Sequence, residues 1–227
     1  MPFPFFVAMH PFMATTSARS LDVSPTRSRD TYHVGNLAPR LLTAARAMLE
    51  EVGPTRLSLR AVADRVGVSS AAAYHHYANR AELIAHLAAQ GFDELGAALA
   101  RRDARRSGER KLRDASLIYF RFARANPALY QLMFGPEFAA DEGIPALRTA
   151  REQAFGKLTD IIAEVLGRDS QAAEVRRAAR AAWAGTHGLA SLVIHGVLQI
   201  PAGVTDARFL DGTLRGFESL FQVRNEG

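Results

Sequence analysis

Residues 57–83 constrain the fold of this chain more than any other stretch, because they predict two short helices joined by a tight turn. Ser58 is a natural N-cap, and the helix after it has apolar residues at the spacing i, i+3, i+4, i+7: Leu59, Val62, Ala63 and Val66. Gly67 ends that helix, since glycine adopts the left-handed conformation at low steric cost. Ser69 or Ser70 caps a second helix of little more than two turns, closed by residues 78–79. This is the geometry of a helix-turn-helix, whose second helix enters the major groove of DNA.

The segment resembles the DNA-binding domain of TetR-family transcriptional regulators. The matching pattern has four parts: Ser-x-Arg-x-Val-Ala from Ser58, Gly-Val-Ser from Gly67, Tyr-His-His-Tyr from Tyr74 and Asn-Arg-x-Glu-Leu from Asn79. Arg80 stands where lysine is common in the family. The sequence also departs from the family where glycine, threonine and leucine or proline are more usual, at Ala71, Ala72 and Ala73.

Two further segments resemble one subgroup of that family. Residues 32–37, Tyr-His-Val-Gly-Asn-Leu, are similar to its Tyr-His-His-Gly-Asn-Leu lead-in, and residues 183–188, Trp-Ala-Gly-Thr-His-Gly, are similar to its C-terminal signature. The resemblance implies an all-α fold, with an N-terminal three-helix helix-turn-helix DNA-binding domain and a C-terminal helical ligand-binding and dimerisation domain. We expect a disordered N-terminal arm over residues 1–36, the DNA-binding domain over 37–82 and the effector-binding and dimerisation domain over 83–227.

The predicted recognition helix has few side chains that read base edges, because Arg, Lys, Asn and Gln are absent from residues 70–76. Direct readout then depends on Arg60, Ser70 and His75, and in the family an arginine at the position of Arg60 can reach a guanine. Alanine methyl groups can touch thymine methyls, while Tyr74, His76, Arg80 and Ser58 are expected to hold phosphates. Tyr77 is expected to pack the small domain instead. The complete predicted DNA-contacting set is Ser58, Arg60, Ser69, Ser70, Ala71, Tyr74, His75, His76 and Arg80.

Composition and motifs exclude several other classes of protein. The chain has no cysteine, and therefore neither a disulfide framework nor a cysteine metal site. It lacks a Gly-x-Ser-x-Gly elbow, a phosphate loop and a dinucleotide fingerprint, so we expect neither an enzyme nor a cofactor. His75 and His76 are adjacent, and point about 100° apart on a helix, unlike the i, i+4 pair of a zinc helix. His187 and His195 have no carboxylate or cysteine at ligand spacing between them, so no metal is expected either.

Composition agrees with an intracellular regulator that has an anionic partner, and the family resemblance implies a bacterial, cytoplasmic protein. The formal net charge is +5, which favours an anionic partner without identifying it. The arginine excess that contributes to this charge is also explained by a GC-rich genome. No run reaches the ~18 uninterrupted apolar residues that a membrane helix needs, so no membrane contact is expected.

Residues 1–36 are open to two interpretations. Residues 1–13 are apolar but broken by prolines and lack a basic start, which makes them a poor signal peptide. Residues 14–36 are rich in Ser, Thr, Arg and Pro and cannot bury enough surface to order themselves. On the first interpretation residues 1–36 are a disordered tail, or the true start is Met9 or Met13 and the residues before it are not part of the protein. Alternatively, residues 1–36 form an arm that carries Arg27 and Arg29 into a minor groove, as homeodomain arms do.

The remaining pattern predicts helices separated by glycine and proline breaks. The first helix should bury Leu41, Ala45, Met48 and Val52 and end at residues 53–54, Gly-Pro. Later helices are expected over about 80–102, 111–125, 128–134, 145–166, 171–198 and 206–223.

Helices 171–198 and 206–223 carry more apolar surface than one small body covers, which predicts a homodimer interface. The last helix would contribute Phe209, Leu214, Phe217, Leu220 and Phe221. One face of helix 171–198 could instead form the wall of a ligand pocket, and the resemblance implies both, on opposite faces. Aromatic and flexible side chains are the pocket candidates, although a plain hydrophobic core explains the same residues: Tyr119, Phe122, Tyr130, Met133, Phe134, Phe155, Trp183 and His187.

These features predict a homodimeric, ligand-responsive transcriptional regulator that binds a pseudo-palindromic double-stranded operator. As a repressor it would be released by a small-molecule effector that changes the spacing of the two heads through the fourth helix. Two alternatives stay open at this point. One is a DNA-binding activator or architectural protein without an effector. The other is a helical small-molecule-binding or interaction protein without sequence-specific, salt-dependent DNA binding.

Overall fold

A computed structural model of the chain describes residues 36–102, 105, 107–138 and 144–222, without the side chains of 137 and 220–222. The predicted arm with Arg27 and Arg29, and the side chains of Leu220 and Phe221, lie outside the described residues. All regular structure in the described ranges is helical, with one short 3-10 helix at Pro136–Phe138. The α-helices are α1 (Leu37–Arg56), α2 (Leu59–Val66), α3 (Ser70–Tyr74), α4 (Arg80–Ala100), α5 (Glu109–Ala125), α6 (Pro127–Met133), α7 (Pro145–Leu166), α8 (Ala173–Ile194) and α9 (Asp206–Gln222). The all-α prediction is confirmed.

Helices α1, α2 and α3 form the head, whose small core is the apolar face that the sequence predicts. Leu41 and Ala45 of α1 are fully buried, as is Val62 of α2. Tyr77 follows α3 and is buried as well; its hydroxyl donates to the carbonyl oxygen of Ala38 in α1 at 3.2 Å. Tyr77 therefore packs the head, as expected, and joins the end of α3 to the start of α1.

The sequence correctly predicted a break in α1 at residues 53–54, but the helix continues past this break. Gly53 has a φ of 74°, outside the helical region, so the helix is interrupted there. Pro54 then restarts one further turn that reaches Arg56, because proline is tolerated at the first position of a helical turn. Val52, expected in the buried stripe, is only half-buried at this kink.

Other helix boundaries differ from the sequence prediction by a few residues. Helix α5 begins at Glu109 rather than 111, and α8 runs only from Ala173 to Ile194, not over 171–198. Helix α3 is shorter than the two turns predicted, although the amides of His76 and Tyr77 still donate to the Ala73 carbonyl. Helix ends depend on local capping bonds, which apolar periodicity does not show.

Helix α4 connects the head to the body and is buried along most of its length. The predicted inward residues are all fully buried: Leu83, Leu87, Phe92 and Leu95. Where α6 crosses α4, a Cβ at Gly91 would lie 2.6 Å from the Met133 sulfur and 3.0 Å from Leu129 Cδ2. Gly91 therefore permits the close approach of α6, and a side chain there would force the Met133 side chain to move.

Helices α7 and α8 form an antiparallel pair joined by a short connection. Leu158 and Ile162 of α7 belong to one buried cluster with Val175 and Ala179 of α8, so residues late in α7 meet residues early in α8. Further along the pair, the rings of Phe155 and Trp183 lie 5.2 Å apart. No helix in the described part of the chain has a stretch long and apolar enough to span a bilayer.

Candidate functional site: an exposed helix-turn-helix surface and an aromatic groove

Two serines fix the start of the two head helices that would meet DNA. Ser58 Oγ accepts a hydrogen bond from the Ala61 amide at 3.1 Å, and Ser69 Oγ accepts one from the Ala72 amide at 3.1 Å. Between them Gly67 turns the chain at a φ of 77°. Ser69, not Ser70, therefore caps α3. Both capping hydroxyls are exposed and keep a hydrogen that can be donated to a phosphate.

The predicted DNA-contacting side chains lie on the accessible side of this unit. Tyr74 is 51% exposed, which rules out packing as its main role, and His75 is exposed beside it. Ala73 and Tyr77 are the buried residues of the same segment, so α3 presents its other face outward. Arg60 is exposed on α2 and makes no hydrogen bond to the described part of the chain. Ser70 and His76 are half-buried, while Ala71 is exposed.

Arg80 has an intramolecular role that the sequence does not predict. Its Nε donates to the Leu57 carbonyl at 2.8 Å, and its Nη2 donates to the Pro54 carbonyl at 2.5 Å. These carbonyls lie at the end of the kinked last turn of α1, and the Pro54 carbonyl also accepts a hydrogen bond from the Leu57 amide at 3.3 Å. Arg80 therefore joins the start of α4 to the α1–α2 junction. Its predicted phosphate contact stays a prediction, since only part of the guanidinium is used in this way.

In the body, Trp183 is surrounded by aromatic rings from α5, α7 and the loop after α6. Its ring centroid lies 5.9 Å from Tyr119, 5.2 Å from Phe155 and 6.3 Å from Phe134. Phe134 also stacks on His187 at 4.4 Å. These edge-on and tilted contacts are the favourable arrangements of aromatic pairs. The structure therefore brings most of the predicted pocket residues into one cluster.

Tyr119, Tyr130 and His187 share a buried hydrogen-bonded centre. The Tyr130 hydroxyl lies 2.6 Å from His187 Nδ1, and the Tyr119 hydroxyl lies 3.0 Å from that of Tyr130. Burial raises the pKa of Tyr130 to about 12 and raises the pKa of Tyr119 further, so both stay protonated. Burial also lowers the pKa of His187, which favours the neutral imidazole. A neutral ring whose Nδ1 accepts from Tyr130 carries its proton on Nε2, 3.4 Å from Ser191 Oγ.

Two concave surfaces meet at Phe134. We call the first the aromatic groove: it has a volume of about 570 Å³ and is lined by Met133, Phe134, Gly135, Pro136, Phe138, Arg151, Phe155, Arg180, Trp183 and Ala184. The second, the polar cavity, has a volume of about 480 Å³ and is lined by Pro54, Tyr130, Gln131, Phe134, Gly135, Pro136, His187, Ser191 and His195. Both volumes fall within the range of small-molecule pockets, ~300–1,000 Å³. In the described residues no three His, Asp or Glu side chains gather to hold a metal ion.

Two of the predicted pocket residues, Tyr119 and Phe122, line neither concave surface, and the prediction missed other lining residues. Phe122 is half-buried against the main core, and it lines neither the aromatic groove nor the polar cavity. Phe138, Arg151 and Arg180 line the groove without having been predicted. Arg180 could have been found, because it precedes Trp183 by one helical turn on the same face. Nothing in the sequence pattern indicates that Phe138 returns to this site.

Exposed apolar side chains remain on α8, α9 and the segment after α8. Leu192 is 45% exposed on α8, and Phe217 is 46% exposed on α9. Gly185 and Gly188 on α8 have open space where a Cβ would stand. Two members of the predicted interface differ: Phe209 and Leu214 are half-buried and pack against the core of the body. The accessible part of the predicted interface is therefore narrower than the apolar pattern indicates.

Comparison with known proteins identifies both halves of this arrangement. Residues 41–87 match the family model described as bacterial regulatory proteins, tetR family. Residues 112–215 match the model described as tetracyclin repressor-like, C-terminal domain. The first match contains α2, α3 and most of α1, and the second contains the aromatic cluster. Together the two models cover more than half of the chain. No curated protein matches the sequence.

Solved structures with the same fold cover most of the chain. A protein of unknown function from Rhodococcus sp. RHA1 is 29% identical with a TM-score of 0.68, covering 83% of this chain and 96% of its own. The TetR family transcriptional regulator PfmR from Thermus thermophilus is 18% identical with a TM-score of 0.55, covering 83% and 100%. A regulatory protein in the tetR family from Rhodococcus RHA1 is 20% identical with a TM-score of 0.54, covering 78% and 95%. With a helix-turn-helix head and a helical body that each match a model of this family, the chain belongs to the tetR family of bacterial DNA-binding transcriptional regulators.

Proposed function

We propose that the protein is a homodimeric repressor that leaves a pseudo-palindromic operator when a small molecule occupies its body. The observation that carries this proposal is the combination of two features in one compact unit, residues 35–227. The head presents a helix-turn-helix with an exposed α3 face, and the body contains an aromatic groove of ligand size. An activator or an architectural protein would share the head but would not need the groove.

On the DNA side, we propose that Arg60 reads a guanine while α3 supplies close contact with little hydrogen-bonded readout. The exposed guanidinium of Arg60, which has no partner among the described residues, supports this, since arginine binds guanine through a planar fork. Tyr74, with half of its side chain exposed, would bind a phosphate, as would Ser58 through its free hydroxyl hydrogen. Ser69, Ser70, Ala71, His75 and His76 complete the proposed surface, and Arg80 would support it from behind.

For the dimer, we propose a two-fold interface made by α8 and α9. Leu192 and Phe217 are exposed apolar side chains on these helices, and Gly185 and Gly188 leave room for a partner helix to approach closely. A two-fold interface repeats each of these surfaces, which doubles the apolar area it removes from water. Two heads held at a fixed distance would then match two half-sites about one helical turn apart on DNA.

The route from the groove to the head would run through α6. Met133 at the end of α6 and Phe134 next to it line the groove. At the other end of α6, the Asn126 side-chain oxygen accepts a hydrogen bond from Arg46 Nη2 of α1 at 2.7 Å. A ligand that displaces Phe134 would move α6 against both α1 and α4. Effector binding would thus favour a second spacing of the heads, which is a shift between pre-existing states.

We also propose that the chain belongs to the subgroup with the Trp-Ala-Gly-Thr-His-Gly signature. Trp183 lines the aromatic groove, and His187, one turn later, lines the polar cavity. The tryptophan and the histidine of the signature thus line the aromatic groove and the polar cavity, respectively, which meet at Phe134. This position supports the proposal, because residues that line a ligand site can be selected for binding, whereas residues of a plain core are selected only for packing.

Selection of bound fragments from genomic DNA tests the proposed function. The purified protein should enrich a pseudo-palindromic sequence, and a duplex with both half-sites should bind one dimer in sedimentation. Duplexes with one half-site, or with a half-turn inserted between the half-sites, are the matched controls and should bind far more weakly. Enrichment of no common sequence, or equal affinity for the control duplexes, would contradict the proposal.

A further inference from the structure

We propose that the aromatic groove binds an amphipathic monocarboxylate, with the carboxylate on Arg180 and the apolar body against Trp183 and Phe155. This inference deepens the proposed function and rests on it for the effect of the ligand on DNA binding. The binding site itself is inferred from the residues that line the groove, from their charge and from the antiparallel direction of α7 and α8, which form its two walls.

The floor of the groove is apolar and aromatic. Phe155 and Trp183, with ring centroids 5.2 Å apart, are both half-buried and thus partly open to the groove. Met133 is fully buried behind Phe134 and offers a flexible, polarisable surface. Such a lining favours a hydrocarbon or aromatic body, since apolar surface on both sides is removed from water on binding.

The charge of the groove is positive. Its described lining residues include Arg151 and Arg180 but neither Asp nor Glu. Arg180 is exposed and forms no hydrogen bond or ion pair with a residue in the described ranges. Arg151, by contrast, already lies over the Phe92 ring at 5.5 Å. Arg180 is therefore the cation available to a ligand, and its planar fork matches the two oxygens of a carboxylate.

The antiparallel walls separate the two arginines. Arg180 precedes Trp183 by one turn of α8, and Arg151 precedes Phe155 by one turn of α7. Because the two helices run in opposite directions, the arginines lie at opposite ends of the Trp183–Phe155 pair. A carboxylate on Arg180 therefore directs the rest of the molecule along the rings and away from the exposed end. This arrangement therefore fits a ligand with one charged end and one apolar end.

Intrinsic fluorescence tests the inference directly, because Trp183 is the sole tryptophan of the chain. The full-length protein is titrated with decanoate, and separately with decan-1-ol and decyltrimethylammonium, all at submicellar concentration. These three probes share a ten-carbon chain and differ in the charge of the head group. Decanoate should bind about two- to fivefold more tightly than decan-1-ol, the usual range for an ion pair with an exposed arginine. The cationic probe should bind weakest.

Two variants on α8 locate the carboxylate. Arg180→Gln should remove the preference for decanoate over decan-1-ol, and Arg180→Lys should retain part of it. Arg177→Gln, an exposed arginine on the same helix that does not line the groove, is the matched control and should keep the preference. Circular dichroism confirms that each variant is folded. Equal affinity for decanoate and decan-1-ol, absence of binding to decanoate by calorimetry, or the same loss in Arg177→Gln overturns the inference.

Operator binding, measured in parallel, separates this inference from the proposed function. A protein that binds its operator but shows no Arg180-dependent preference for decanoate overturns the groove inference alone. A protein that binds decanoate through Arg180 but holds no operator overturns the proposed function and leaves the groove assignment standing. If both hold, decanoate should lower operator affinity in the parent protein and leave it unchanged in Arg180→Gln.

Discussion

The head and the aromatic groove present their candidate binding residues in opposite ways. In the head, Tyr74 and Arg60 are exposed on short helices whose starts are fixed by serine caps. In the body, Trp183 and His187 are half-buried among rings from several helices. A surface for a large rigid polyanion must be accessible before binding, whereas a site for a small molecule gains affinity by enclosing it.

The two regions also differ in what a substitution would disturb. Most exposed head residues, Arg60 among them, can be changed with little effect on the fold, so their loss should report on DNA alone. Changes in the aromatic cluster alter packing, hydrogen bonding and binding together. Arg80 and Phe217 are informative exceptions. Arg80 holds the α1–α2 junction in addition to its predicted phosphate contact, and Phe217 belongs to the proposed dimer interface, on which operator binding by the head would depend.

The largest effect is expected from Phe217→Glu, which tests whether the head depends on a dimer made by the body. A two-fold interface would bury two carboxylates without cations, so the dimer should dissociate while the helical content is retained. Operator affinity should fall about a hundredfold or more, since one head makes half of the contacts. Sedimentation and gel-shift titration measure both effects.

Leu166→Glu is the matched control for Phe217→Glu. Leu166 is similarly exposed, at 40%, but lies at the end of α7, which is not one of the two helices of the proposed interface. That variant should stay dimeric and bind the operator normally. A Phe217→Glu protein that remains a dimer at micromolar concentration would place the interface on other helices.

Arg60→Ala tests whether direct readout in the head depends on α2 as well as α3. Loss of one bidentate contact to guanine should reduce discrimination at one base pair in each half-site by about 1–3 kcal/mol. A competition assay with single-base operator variants measures this. Arg65→Ala, on the same helix but paired with Glu51 at 2.6 Å, should leave the preference intact. Unchanged discrimination in Arg60→Ala would locate direct readout elsewhere.

Arg80→Ala tests whether this residue holds the α1–α2 junction as well as a phosphate. The Leu57 carbonyl would lose the Arg80 donor and the Pro54 carbonyl would keep only the Leu57 amide, which should lower the free energy of unfolding by about 1–2 kcal/mol. All duplexes should be weakened alike, with a salt slope smaller by about one. Urea unfolding and salt-dependent gel shifts separate the two roles. A normal unfolding midpoint would show that the intramolecular bonds contribute little.

The smallest effect concerns the pH dependence of the body. Burial lowers the pKa of His187 below its ordinary value of 6.5, so the unfolded chain binds this proton more readily than the folded one. The stability that His187 contributes is therefore present above about pH 6.5 and is lost as the pH falls through its lower folded pKa. His187→Gln should show a smaller drop in urea midpoint between pH 7.5 and pH 5.5 than the parent. His75→Gln, exposed in the head, should behave like the parent.

How far the sequence predicts each region follows from the range of the interactions involved. The caps at Ser58 and Ser69, and the turn at Gly67, act within three or four residues, so the local pattern indicates them reliably. Tyr74 and Tyr77 are three residues apart and would share a face of one continuous helix, so their opposite burial depends on the chain leaving α3 after Tyr74. The Arg80 bonds escaped prediction because they join residues 23 and 26 positions apart, across a kink that periodicity does not show.

In the body, the residue types predicted a cluster of aromatic side chains but not which of these side chains contact each other. Tyr130 and His187 are 57 positions apart in the chain, and their contact depends on how α6 packs beside α8. Phe122 has the same chemistry as Phe134, yet its position on α5 turns it to the main core. A hydrophobic side chain is specified by burial, which is non-directional, so its partners are decided by helix packing.

The sequence by itself determined the all-α class, the helix-turn-helix and its caps, because these depend on local hydrogen bonds and on the period of 3.6 residues. Only the tertiary structure decided that Arg80 closes the α1–α2 junction, and that Arg180 and Arg151 lie at opposite ends of an aromatic pair. The antiparallel packing of α7 and α8 produced that second arrangement from residues far apart in the chain. Local bonds can be inferred from neighbours in sequence, whereas a site assembled between helices exists only once their faces have packed together.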